Sequence, residues 1–483
     1  MKKLLLVPVL TAALLALLAA PAFASPKTFY VHPSGGNDTH NIQKAFNAAV
    51  KAGPGSTVQL SAGHFYTNTV LVRNFHGCFK GAGEGRTVID CLRGLDPSLP
   101  GVTLLSAPDL MPFTFLVGFV GGHINVSDMS FHITAFSPVD AASNGGSDFL
   151  QGIVAVIGDS HASSAFHRVS ISAGAGNDGG LNADEDIIIT GYAPSDQNGN
   201  PTSFPAIHGS QCVCDCSLAG HDGIQVQGLT DSRLSIRGSV FDDTALGCLL
   251  DDSASASQIV VCHDQMTCRE WASVILYQGW DASGNGDPTL LPPLPAPRYL
   301  ICDNHMLAST ITVAGTLFAG GGVYLEDDSP NYGAPYRLDA TVANNTIKVA
   351  TDGWSDGITG VSGQGMRVLG NHISGVAFAG IDVGLNSDFG YTPAPDSGWQ
   401  IIGNDLSGLT ATSDQYGLPT AQIRLGSDAD HCLVVGGCRP TTVLDRGTDD
   451  TLINVTPTVS PAAQTNRLMK PLQRMKQLQD MRP

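Results

Sequence analysis

The chain has 483 residues, of which 14% are charged, 42% hydrophobic and 7% aromatic, with 56 Gly and 28 Pro. So much apolar residue excludes wholesale disorder, and the many small residues call for many tight turns. Against 25 Lys and Arg stand 43 Asp and Glu, a net of −18, which argues against nucleic acid as a partner, because phosphates require basic patches.

At the start of the chain, Lys2 and Lys3 precede an apolar run from Leu4 to Ala20, and Ala22-Phe23-Ala24 supplies small residues at the positions a signal peptidase reads. Residues 1–24 are therefore expected to be a signal peptide, 25–459 a folded domain and 460–483 a basic tail. Cleavage leaves 23 basic residues against 43 acidic, or −20. No second stretch is long and apolar enough to span a bilayer. The expectation is a secreted or periplasmic protein with no membrane attachment once the signal is removed.

Eleven Cys in an exported chain permit disulfides and leave at least one thiol unpaired. The short-range candidates are Cys78 with Cys91 and Cys432 with Cys438. Cys212, Cys214 and Cys216 alternate with period two, which suits small buried residues on one side of a strand and lacks the spacing of a zinc knuckle.

Asn37-Asp38-Thr39 leads into Ile42 to Val50 with apolar residues at helical spacing, predicting one short helix behind a capping residue. It ends at Gly53-Pro54-Gly55. Thr57-Val58-Gln59-Leu60 then alternates like a strand, and strand-like runs separated by Gly and Asn continue to about residue 456.

These runs repeat. Val261-Cys262-His263-Asp264-Gln265-Met266, Ile301-Cys302-Asp303-Asn304-His305-Met306, Val342-Ala343-Asn344-Asn345-Thr346-Ile347, Val368-Leu369-Gly370-Asn371-His372-Ile373 and Ile401-Ile402-Gly403-Asn404-Asp405-Leu406 share one frame, with Val213 to Leu218 a looser copy. Asn304, Asn345, Asn371 and Asn404 fall in one column. Asn tolerates the left-handed turn conformation, and its amide can both donate and accept along a stack. Most copies also carry Gly-apolar-x-apolar, as in Gly223-Ile224-Gln225-Val226, Gly322-Val323-Tyr324-Leu325 and Gly380-Ile381-Asp382-Val383. Two apolar residues two apart point to one side of a strand and the residue between them points out. Such short strands bury their apolar side only by stacking. Leucine-rich repeats and propellers would need a Leu-dense consensus or a tryptophan signature, and both are absent.

With the opening helix, Gly63-His64-Phe65-Tyr66 and Gly81-Ala82-Gly83-Glu84-Gly85-Arg86-Thr87-Val88-Ile89, these features resemble the pectate-lyase-like superfamily of right-handed parallel β-helices. The similarity covers roughly residues 28 to 456. It implies an all-β solenoid with an N-terminal capping helix, and ligands along the outer face of the sheet that the Gly-Ile-x-Val strands form. Applied here, that geometry puts Gln225, Gln227, Leu249, Asp251, Tyr324, Glu326, Asp382 and Arg424 on the outer face.

The candidate catalytic residues are Asp243, Asp251 and Glu326, since two carboxylates facing a groove can divide the work of acid and base. Strands of adjacent coils lie ~4.8 Å apart, so Asp251 and Glu326, two coils apart, are expected roughly 10 Å from one another, near the upper end of the ~6.5–9.5 Å used in inverting hydrolysis. Candidate substrate-binding residues are Trp280, Tyr324, Tyr332, Asp382, Trp399 and Arg424; the aromatic ones stand in or beside long loops, where exposed rings are platforms for sugar faces. No metal or cofactor motif is present; the acid runs lack calcium-loop spacing and Gly81 to Gly85 lacks the Lys and helix of a phosphate loop.

The resemblance also implies what a lyase would need, namely Lys or Arg as base. No Lys occurs between Lys80 and Lys348, which excludes a Lys-based lyase in the central coils. The polygalacturonase subgroup uses several Asp, a His and an Arg-x-Lys motif. Asp242-Asp243 and His221 match part of that set and Arg-x-Lys is missing. The reading is therefore an exported solenoid that binds a polysaccharide or other glycan, with hydrolysis by groove carboxylates favoured over a lyase and a non-catalytic adhesion or cell-surface solenoid as the competing class.

Overall fold

The computed structural model describes residues 25–458 apart from 93, 96–97, 108–109, 134–149, 158–162, 174–184, 191–210, 220–221, 228–231, 243–245, 252–256, 270, 279–295, 314–315, 328, 333–337, 352–354, 385–394, 413–418 and 438. The expected signal peptide, Trp280, Asp243 and the basic tail lie outside the described residues.

Each coil contributes up to three short strands, and strands at equivalent places in successive coils pair in parallel. One coil runs through Gly321–Asp327, Asp339–Ala343 and Thr346–Ala350, and the next through Ile358–Gln364, Arg367–Leu369 and His372–Ala377. The result is a right-handed parallel β-helix. Antiparallel pairing among the described residues is confined to two hairpins, Leu104–Ala107 against the start of Leu110–Ile133, and Thr310–Val313 against Thr316–Ala319.

The N-terminal end is closed by helix α1, Thr39–Ala52, whose Ile42, Ala45, Phe46 and Ala49 are buried. The Phe46 ring lies 5.2 Å from that of Phe75 and 4.8 Å from that of Phe79, so the helix seals the first coils with aromatic packing. Its start differs from the expected cap. Asp38 is the boundary residue, but its carboxylate accepts from the Ser34 amide at 2.9 Å, and Asn37 Oδ1 takes the Thr39 amide at 3.0 Å. The helix stops at Gly53, whose φ of 98° only glycine adopts without strain.

Inside the coils, alternate residues form one continuous core: Val323, Leu325, Val342, Ile347, Ile358, Val368, Ile373, Ile381 and Val383 all belong to it. The corner between the second and third strands carries the Asn column. Asp264, Asn304, Asn345, Asn371 and Asn404 are buried there, and each Asn Oδ1 accepts the backbone amide of the residue before it in the column at 2.9–3.0 Å. Each Asn Nδ2 of positions 304, 345 and 371 donates to the next Oδ1 at 2.9–3.0 Å and to a carbonyl of the preceding coil. The left-handed backbone expected of the Asn belongs to its predecessor instead: His263, Asp303, Asn344, Gly370 and Gly403 have φ of 63°, 53°, 57°, 61° and 66°. The corner thus splits two duties between neighbouring residues, one turning the chain and one bonding the coils.

The same frame sets the disulfide. Cys262 and Cys302 are register partners in adjacent coils and are bonded to one another. Cys78 and Cys91 form no disulfide, which corrects the expected Cys78–Cys91 pair, and Cys432 has no bridge to Cys438. Burial pushes the Cys432 thiol up to about 12, so it is inert at neutral pH. Cys214 and Cys216 are buried, as their alternation predicts.

Candidate functional site

The first-strand stack carries the outward residues, and its register can be read across the coils. Ile188, Gln225, Leu249, Ile275, Tyr324, Thr359, Asp382 and Arg424 form one column. Two residues further along each strand, Thr190, Gln227, Asp251, Tyr277 and Glu326 form a second. In the first column the charged residues, Asp382 and Arg424, stand together at the C-terminal end, after Tyr324 and Thr359. Because the residues between them point into the core, this order is a property of the outer face alone.

That face is not an open groove at these positions. Gln225, Ile275, Tyr277, Glu326, Asp382 and Arg424 are all buried, the two acids at 3% and 4% and the arginine at 2% exposure. Ionised groups are so rarely buried without partners that their partners define the site. Arg424 faces Asp382 Oδ2 at 2.6 Å and Asp356 Oδ1 at 3.4 Å, and its guanidinium lies 5.9 Å above the centre of the Phe378 ring. Asp356 Oδ1 also accepts the Ala379 amide at 2.7 Å, which fixes it at the turn entering Ile381–Val383. The Tyr324 hydroxyl donates to Glu326 Oε2 at 2.7 Å.

Behind Asp382 lies Asp396, fully buried on the two-residue strand Asp396–Ser397 between Gly363 and Ala429. Burial holds its carboxyl well above the usual carboxylate range, and the charges of Asp428 and, more weakly, Asp382 push the same way. The Trp399 indole and the Gly384 amide nearby offset only part of this. The cluster therefore contains a carboxyl whose protonated form burial favours beside one that pairs with a guanidinium. Such divergence between neighbouring carboxyl groups is the pattern that acid–base chemistry uses.

Asp251 and Glu326 share a column as expected, two coil spacings apart, with Tyr277 between them. Tyr277 is 2% exposed and packs with Ile275, Trp271 and Tyr324, so a buried ring occupies the coil where the two acids would share a water. The expected aromatic platform also needs correction at Trp399. Its side chain is fully buried, with the indole N–H donating to the Gly363 carbonyl at 3.1 Å, and a ring with no exposed face cannot stack on a sugar. The cause is Gly360, an inward position in register with Leu325 and Val383 that has no side chain; the Trp399 ring fills the space a Cβ there would need. Tyr332 ends the 3-10 turn Ser329–Tyr332. Asp327, next to Glu326, serves that turn by accepting the amides of Ser329 at 3.1 Å and Leu338 at 2.7 Å.

Asp356 and Asp396 were not singled out from the sequence, since both sit outside the repeating frames. Among the described residues, the ligand atoms of Asp430, His431 and Asp449 lie within 4.8 Å of one another on the last coils. There the His431 imidazole, 2.6 Å from Asp430, holds that carboxyl below its usual range and is itself raised by it.

No family model and no curated protein matches this chain. Solved structures do. The Agl-KA catalytic domain superposes with a TM-score of 0.51 at 13% identity, over 90% of this chain and 69% of that one. The A-module of the Azotobacter vinelandii mannuronan C-5 epimerase AlgE6 gives 0.47 at 14% identity, over 88% and 96%. A polygalacturonase from Erwinia carotovora ssp. carotovora gives 0.40 at 10% identity, over 91% and 98%. Stacked parallel coils, the helix cap and the first of these likenesses show the fold to be a right-handed parallel β-helix. At these identities the likeness is one of fold, and the chemistry has to come from the chain's own residues. No helix among the described residues is long and apolar enough to cross a membrane.

Proposed function

We propose that this protein is exported, binds a polysaccharide along the outer face of its first-strand stack, and hydrolyses it. The reading is carried by the cluster in which Asp382 on the outer column pairs with Arg424 at 2.6 Å while burial and Asp428 raise the Asp396 carboxyl behind it. In it, Asp382, on the outer column, is the acid–base group, and Asp396 behind it acts through Asp382 by its charge, while Glu326 and Tyr324 hold the neighbouring ring by hydrogen bonds. Asp251 extends the row of acids towards the N-terminal end.

The near-complete burial of Glu326, Asp382 and Arg424 favours a second reading, a binding solenoid in which the cluster only holds coils together. The two are separated by following new reducing ends and ultraviolet-absorbing unsaturated ends across a panel of polysaccharides. Hydrolysis predicts reducing ends alone, lowered at least ~10²-fold in Asp382→Asn and Asp396→Asn, with unchanged circular dichroism showing that the variants fold. Products made equally by the folded variants would overturn the assignment of these residues, and binding without any product would overturn the enzyme reading.

A further inference from the structure

We infer that the glycan taken by this face is electrically neutral, a polymer whose rings carry hydroxyl groups and no carboxylates; this rests on the reading above that the face takes a glycan. From Leu150–Ile157 to Thr456–Thr458, the described strands of this stack carry one basic residue, Arg424, against eight acids, Glu185, Asp186, Asp222, Asp251, Glu326, Asp327, Asp382 and Asp445. A polyuronate presents a carboxylate on every ring. Its recognition calls for guanidinium or ammonium groups with donors to spare, because charge-assisted bonds to those carboxylates replace the water they lose.

Arg424 has little to offer such a ligand. It is 2% exposed and lies between Asp382 and Asp356, so the pair of acids already outweighs its charge. Other cations are committed elsewhere: Lys80 and Arg168 to Asp128, Arg269 to Asp242, Arg298 and Arg367 to Asp339. Lys348 is exposed on the third-strand stack, away from this face. What the outer columns do present is uncharged hydrogen-bonding and ring surface, namely the partly exposed Tyr324 and Thr359. Hydroxyl-rich rings match hydroxyl and aromatic groups without needing a counter-charge. A like-charged polymer would instead be repelled before contact.

The test is equilibrium binding of the mature full-length protein to neutral polymers (an α-glucan, a β-glucan and a fructan) and to polyuronates (polygalacturonate and polymannuronate). It is run at about 0.01 M and about 0.15 M salt, where the screening length falls from ~30 to ~8 Å. Expected is tight binding to at least one neutral polymer, changing less than about twofold between the two salts, and polyuronate binding at least ~10-fold weaker at the lower salt. Asp356→Asn, which relieves Arg424 of one acid, is expected to narrow the gap between the two polymer classes by about 3- to 10-fold. A polyuronate bound at low salt as tightly as the best neutral polymer would overturn the neutral assignment and leave the glycan reading standing. Binding to no polymer at either salt would overturn the glycan reading itself.

Discussion

Asn345→Ala is expected to be among the most damaging single truncations in the solenoid that touches no apolar packing. The Asn345 side chain is fully buried and makes four hydrogen bonds: Oδ1 accepts the Asn304 amide and Asn304 Nδ2, each at 3.0 Å, and Nδ2 donates to the Ile301 carbonyl at 3.0 Å and to Asn371 Oδ1 at 2.9 Å. After truncation two of the four partners keep another bond. Asn304 Nδ2 still reaches the Val261 carbonyl, and Asn371 Oδ1 still accepts the Asn345 amide, both at 2.9 Å. The Asn304 amide and the Ile301 carbonyl each lose the bond this side chain gave them. At ~1–3 kcal/mol for each buried group left unsatisfied, the loss is about 2–6 kcal/mol. Urea unfolding followed by circular dichroism measures it, with the exposed Lys348→Ala on the same coil as a control expected within ~0.5 kcal/mol of the parent. A loss below about 1 kcal/mol, or equal to the control, would mean that the column follows the fold and does not hold it.

Removing one side of the Arg424 cluster should cost more than removing both. Arg424→Met leaves the buried Asp382 and the partly buried Asp356 without their counter-ion and is expected to destabilise by ~3–5 kcal/mol, and adding Asp382→Leu should recover part of this in a double-mutant cycle; additive losses would deny the coupling. Burial and the neighbouring Asp445 raise the Asp450 carboxyl to about 6. With the folded value above the unfolded one, its contribution to stability is full below about pH 4 and lost by about pH 6. In Asp450→Asn, whose Oδ1 can still accept the Cys432 amide, the melting temperature should therefore fall less between these values than in the parent; parallel profiles would refute the assignment. Cys262 and Cys302 close a loop of 40 residues, so Cys262→Ser with Cys302→Ser should lower stability by about 3–4 kcal/mol on the chain-entropy model, and reducing agent should then have no further effect.

The solenoid was legible because stacking forces the same residue type into the same place in every coil, and Asn at the corner survives changes everywhere else. The one-residue shift of the left-handed position arises because His263, Asp303 and Asn344 reach positive φ as well as Gly370 and Gly403 do, so no single residue type marks it. The disulfide was within reach of the same frame, since Cys262 and Cys302 stand at its second position. Short sequence separation is a poor guide to pairing here, because in a stack the neighbour of a residue is one coil away, 40 positions on. The site was harder to read. Glu326, Asp382 and Arg424 follow from strand alternation, whereas Asp356 and Asp396 come from turns whose position depends on loop length. Trp399 looked like a loop aromatic because nothing local reveals that Gly360, 39 positions earlier in the chain, leaves room for it.

Successive members of the Asn column are 40, 41, 26 and 33 residues apart, yet they make the same bonds. The corner thus acts as a fixed seam, and the excursions between its stitches are free to differ by 15 residues without moving the coils they join. Chain length can change by altering what hangs from the seam, which is where binding residues are added or lost. A change in the number of coils is another matter, because it must bring a complete stitch with it. For this protein, variation in ligand preference between relatives should accordingly be sought in the lengths of the excursions, and variation in the reach of the binding face in whole coils gained or lost.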